Sequence, residues 1–179
     1  MNRERTAKKL KEIFKMGYLP SRRSESYYVK LPNGYCTARL GNCLEHACFN
    51  LKNEQFYKYN FDFEDMHAFQ EFMDPNKNLK EITHDIFNFV ESCGLEVRQA
   101  KSILKQKNEW KVALYFRTYS MFGDDYHFLL QEKNGVWTGK MGNGENLQRY
   151  LTLRKSIRDY DLYGVYTIKN PNAKPDMTL

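Results

Sequence analysis

The stretch GDDYHFLLQEKNGVWTGKMG, Gly123–Gly142, decides how this chain folds. An apolar run and a second apolar run flank a polar segment centred on Asn134-Gly135. Asn-Gly is a strong short-range hairpin signal, because both residues tolerate the positive φ that tight turns demand. The reading is a β-hairpin over 126–141 inside an antiparallel sheet. Upstream, Trp110–Tyr119 is apolar on both alternating faces, as expected of a central strand covered on two sides. Downstream, Tyr163–Ile168 reads as a last strand, and residues 145–158 fit either helix or loop.

Before Gly94 the period changes. Residues 3–16 put Ala7, Leu10, Ile13 and Phe14 on one helical face, with Gly17 as the stop. From Leu19 to Gly41 the chain is irregular, with a short extended piece through Tyr27–Leu31. Asn42 is a good N-cap with Glu45 at capping-box spacing, followed by a stripe of Leu44, Ala47, Cys48 and Leu51. Asp62 opens a third helix through Met66, Phe69, Phe72 and Met73 to Asp74-Pro75. Asn78 and Glu81 box the start of a fourth, which carries Leu79, Ile82, Ile86, Phe89, Val90 and Cys93 at helical spacing. Helices first and strands second predict an α+β fold, N-terminal helices packed on a C-terminal antiparallel sheet. The expected boundaries are one domain over 1–170 and a loose tail over 171–179.

The 179 residues are 41% hydrophobic and 15% aromatic, which argues against disorder despite a mean hydropathy of -0.75. No apolar run approaches the ~20 residues of a membrane helix, and the charged N-terminus lacks a signal-peptide core. A cytoplasmic protein without membrane contact is expected. Its four cysteines, Cys36, Cys43, Cys48 and Cys93, are irregularly spaced and reduced there. Net charge is +6, with Lys8, Lys9, Lys11, Lys15 and Arg22-Arg23 clustered early. This surplus suits an acidic partner or an ordinary solvated face.

Cys43 occupies the first helical position after Asn42, where unsatisfied amides and the helix dipole favour thiolate over thiol. A cysteine there is either a nucleophile or an inert small residue. A nucleophile needs a base. Of the four histidines, His84 reads as a helix-surface residue and His67 has no distinguishing setting. His46 points along the helix past Cys43. His127 opens a strand, a rigid element suited to presenting a base.

In order along the chain come Asn42-Cys43 with Ala47, then Lys111–Phe116, Tyr126-His127-Phe128, Asn134-Gly135, Trp137, Thr138-Gly139-Lys140-Met141-Gly142 and Tyr163-Gly164-Val165-Tyr166. This series, over roughly residues 40–168, resembles the papain-like thiol hydrolase superfamily, and more closely its small bacterial and phage-type members. The resemblance implies Cys43 as nucleophile, His127 as base, and hydrolysis or acyl transfer on a peptide or amide substrate, without a cofactor. The Cys43 amide would then help to hold the oxyanion. The family's third polar residue would fall at Gly139, which has no side chain to orient the imidazole. Either Asn143 substitutes, or a dyad suffices, or the protein is a degenerate relative that binds without cleaving.

Two other readings compete. Cys36, Cys43, His46 and Cys48 are soft ligands close together, but their gaps lack a paired zinc knuckle, so no metal is expected. A non-catalytic basic interaction protein, such as a small phage or accessory factor binding nucleic acid or a host protein, fits the thirteen tyrosines and scattered cations, although no nucleic-acid-binding motif is visible.

Overall fold

The computed structural model describes residues 3–20, 29–30, 36–37, 42–70, 72–100, 108–118, 121, 123–140 and 147–174. Helix α1 (Arg3–Lys15) is followed by a two-stranded ladder of β1 (Val29–Lys30) and β2 (Cys36–Thr37). A buried helical segment starts at Cys43 and widens to π geometry over Glu45–Phe49, and short helices α2 (Asn53–Lys58) and α3 (Phe63–His67) precede the longer α4 (Leu79–Ser92). The strands β3 (Glu96–Gln99), β4 (Glu109–Arg117), β5 (Asp125–Gln131), β6 (Trp137–Lys140), β7 (Leu147–Tyr150), β8 (Ser156–Ile157) and β9 (Tyr160–Lys169) then form one antiparallel sheet. Its order is β3-β9-β4-β5-β6-β7, with β8 paired to β9. The fold is α+β.

Local chemistry explains the elements that the sequence announces. Gly17 leaves α1 at φ +83, a conformation that only glycine adopts without strain. The α4 capping box is complete: Asn78 Oδ1 accepts from the Lys80 and Glu81 amides, and Glu81 Oε2 accepts from the Asn78 amide. The hairpin turns at Gly135, φ +88, with Asn134 Oδ1 accepting from the Val136 amide.

Several boundaries differ from expectation. Helix α3 stops at His67 instead of reaching Met73, yet Phe69 and Phe72 remain in the core as irregular chain. Residues 147–157 contain strands β7 and β8 rather than helix or plain loop. Neither α2 nor β3 was signalled, because a six-residue helix with a single buried aromatic, Phe56, and a four-residue edge strand carry little periodicity. The segment after 170 is not loose throughout: Ala173 is buried, and its carbonyl accepts from Asn108 Nδ2. Residues 175–179, Asn143, Arg22, Arg23 and the side chain of Cys36 lie outside the described residues.

Strand β4 sits centrally with both faces covered. Trp110, Val112, Leu114 and Phe116 join the main core beneath α1 and α4, together with Tyr126, Phe128 and Leu130 of β5. Ala113, Tyr115 and Leu129 face the other way, into a smaller cluster closed by Trp137, Ile157 and Tyr160. Strand periodicity assigns alternate residues to these two cores.

One buried carboxylate anchors α1 to α3. Asp65 is fully buried; it accepts from Thr6 Oγ1 at 2.8 Å and Lys9 Nζ at 2.6 Å, and lies 3.3 Å from Arg5 Nη2. Asp65 also completes the Asp62 capping box. Replacing Asp65 with Ala leaves Thr6 and Lys9 without this acceptor. The expected loss is about 3 kcal/mol in urea unfolding, and a loss below ~1 kcal/mol would refute this anchoring role.

Candidate functional site

The first expected site residue sits where the sequence placed it. Asn42 caps the buried segment, its Oδ1 accepting from the Leu44 and Glu45 amides at 3.0 and 3.3 Å, so Cys43 holds the first helical position. The capping box is only half formed. Glu45 turns forward instead, and its Oε1 accepts from the Leu51 amide at 2.9 Å.

The Cys43 thiol donates to the Tyr126 carbonyl at 3.8 Å, and the Phe128 amide lies close to the sulfur. It occupies the edge of β5 just beyond Leu129–Gly139, the last β5–β6 pair. Burial pushes the thiol up to about 12, outweighing the lowering by the Phe128 and Leu44 amides. The helix-end effect is present, and desolvation exceeds it.

His127 stands beside Cys43 through its backbone but aims its ring elsewhere. Its neighbours Tyr126 and Phe128 face the helices, so the imidazole projects with Leu129 into the smaller cluster, 5.7 Å from the Tyr160 ring. No hydrogen bond joins it to Cys43. His127 Nε2 is buried without a hydrogen-bond partner, and burial, aided by the charges of His46 and Arg158, lowers the imidazole to about 3. The structure therefore brings the two residues to the same stretch of strand without assembling a thiol–imidazole pair.

Gly139 acquires a different meaning. A Cβ there would overlap Leu129 Cδ2 and come within 2.8 Å of His127 Nε2. The position is closed by packing, so it is not an orienting site that has merely lost its side chain.

On the helix-facing side lies a polar group that sequence inspection missed. His46 Nε2 contacts Thr138 Oγ1 at 3.3 Å, and buried Glu45 and Lys140 are near. Desolvation lowers His46 to about 4 and raises Glu45 to about 7, the latter against the opposing pull of Lys140. The only advance signal was a Glu-His pair inside an otherwise apolar helix. His84 and His67 are exposed. A cleft of about 600 Å³ lies near the start of α4, but neither Cys43 nor His127 lines it. Its Lys77 pairs with Asp85, and its Asp74 accepts from Asn76.

The early basic cluster is partly consumed. Arg5 pairs with Asp62 at 2.6 Å, Lys9 with Asp65, and Lys8 with Glu4. Lys8, Lys11 and Lys15 remain exposed, and further exposed cations lie at Arg149, Arg154, Lys155 and Arg158, on β7 and the turns around β8.

Two measurements check this geometry. Gly139→Ala is expected to destabilise the fold by roughly 1–3 kcal/mol through overpacking, read by urea unfolding. The second concerns pH. His127 and His46 stay neutral in the fold down to about 3 and 4, whereas the unfolded chain protonates them near 6.5. Their contribution is full above 6.5 and is lost as pH falls. Glu45 acts oppositely, protonating at about 7 in the fold and near 4.5 when unfolded. Between 6.5 and 4.5 the net is one proton taken up on unfolding, a loss on the order of 1 kcal/mol per pH unit. His127→Phe should flatten that slope; an unchanged slope would show that His127 is not buried in its neutral form.

Comparison with known proteins finds no matching family model, no matching curated protein and no matching solved structure.

Proposed function

We propose that this chain is a non-catalytic binding protein for an acidic partner, with the thiol-hydrolase-like outline serving as scaffold. The observation that carries this reading is the state of the two candidate catalytic groups. The Cys43 thiol donates to the Tyr126 carbonyl, the imidazole projects to the other side of the strand, and burial puts the thiol at about 12 and the imidazole at about 3. A base that weak does not deprotonate an acid that weak at neutral pH. The exposed cations around β7 and β8 supply the surface that such a partner needs.

A specific observation favours the thiol hydrolase as a second reading: Asn42 does cap a helix start at Cys43, beside the His127 backbone. Cleavage of a peptide or amide would then require His127 to leave its pocket and turn toward the sulfur.

Iodoacetamide labelling at neutral pH separates the two. In the folded protein Cys43 is expected to react as slowly as Cys48 and Cys93, all three being buried, and to react quickly only in denaturant. Fast labelling confined to Cys43 and abolished by His127→Ala would restore the hydrolase and end the non-catalytic reading.

A further inference from the structure

We infer that Leu147–Tyr160 forms a single-stranded nucleic-acid-binding ridge, an inference that rests on the binding reading above and names its acidic partner. Residues 147–158, LQRYLTLRKSIR, contain Arg149, Arg154, Lys155 and Arg158 and no carboxylate. All four cations are exposed, and Leu151 stands 86% exposed among them. Such local charge attracts a polyanion by releasing its condensed counterions.

The ridge is ordered before any partner arrives. The Arg154 guanidinium lies over the Tyr150 ring, 5.5 Å from its centroid. With the Gln148 amide oriented to suit both neighbours, its nitrogen donates to Tyr150 Oη at 2.7 Å and its oxygen accepts from Arg158 Nη2 at 2.9 Å. Tyr150 thus links two guanidiniums. Tyr150 and Leu153 pack against the smaller cluster, which mounts the ridge on that core. Two nearby acids are engaged by other residues: Asp159 pairs with Arg117 at 3.2 Å, and Asp125 accepts from Tyr160 Oη at 2.7 Å.

The backbone at Arg158 supplies a second observation. It turns the β8–β9 connection at φ +51. The other non-glycine residues with positive φ among those described are Asn50, Asn60 and Asn108. Asparagine tolerates that region, whereas arginine gains nothing from it conformationally. A guanidinium kept at a strained tip points to a role for the side chain.

The chemistry favours nucleic acid over an acidic protein. Guanidinium planes beside a tyrosine both fork onto phosphate oxygens and stack on bases. It favours single strands because the exposed Leu151 and the Arg154 guanidinium plane, whose other face covers Tyr150, offer contact to unpaired bases.

The test uses the full chain and fluorescence anisotropy with labelled oligothymidine and oligouridine of about 20 nucleotides at roughly 50 mM salt. Binding is expected, with a log K against log salt slope near −3 for four contacts, falling by about half in Arg154→Ala/Lys155→Ala. Arg158→Gly should weaken binding while its Tm stays equal or rises, which separates lost contact from lost folding. A Lys8→Ala/Lys11→Ala/Lys15→Ala variant should bind like the unmodified chain. No binding, unchanged affinity in Arg158→Gly, equal loss in the α1 variant, or equal affinity for duplex would each overturn the assignment. So would displacement by polyglutamate at equal charge, which would identify an acidic protein as partner. If oligonucleotides fail to bind while Cys43 remains unreactive, the ridge assignment falls and the non-catalytic reading stands.

Discussion

Strand β4 has no wet face over most of its length, and the rest of the molecule is arranged to cover it. Trp110, Val112, Leu114 and Tyr115 are essentially inaccessible, each side chain contributing on the order of 2 kcal/mol through burial. Helices α1 and α4 close one side, while residues 150–165 close the other with a smaller cluster. The Trp110 indole donates to the Ala47 carbonyl at 3.1 Å, fastening the buried helical segment to the strand it covers. That bond gives the indole N–H a partner in a place with no water to supply one.

The same double cover determines the character of the candidate site. Next to β4, strand β5 must send alternate residues into the two cores, and Tyr126 and Phe128 are needed beneath the helices. His127 therefore goes to the other side, opposite Tyr115 in the register, into surroundings that exclude charge. Cys43, inserted at the strand edge, is dried by the same core. Burial raises the thiol and lowers the imidazole, and both shifts oppose an ion pair. Cys43 and His127 are both buried, and exposed positive charge lies on α1 as well as on the surface that closes the smaller core. There the covering segment has two faces: an apolar underside, and an outer side carrying Arg149, Arg154, Lys155 and Arg158.

Much of this was legible in advance. Capping at Asn42 and Asn78, the stop at Gly17, the Asn134-Gly135 turn and the two-sided strand before it are local features, each specified within a few residues. Less could be read where signals were short or shared. Phe69 and Phe72 suggested a longer α3 because aromatic spacing cannot distinguish a helix from irregular chain packed on the same core. Residues 145–158 read equally as helix or loop, since the strands at Leu147–Tyr150 and Ser156–Ile157 are brief. The basic character of α1 was visible, but its capture by Asp62 and Asp65, more than fifty residues away, was not.

By itself, the sequence determined the α+β order, the helix that begins at Cys43 and the strand that carries His127, because propensity, capping and period act over neighbouring residues. Only the tertiary structure decided what those two residues face. A strand's faces are distinguished by whatever packs on them, and Gly139, Leu129 and Tyr160 enclose one side of His127 while the helices take the other. A thiol's acidity and an imidazole's basicity depend on water removed by distant parts of the chain. Tertiary packing thus made buried neutral groups of two residues that, read in order along the sequence, resemble an acid and its base.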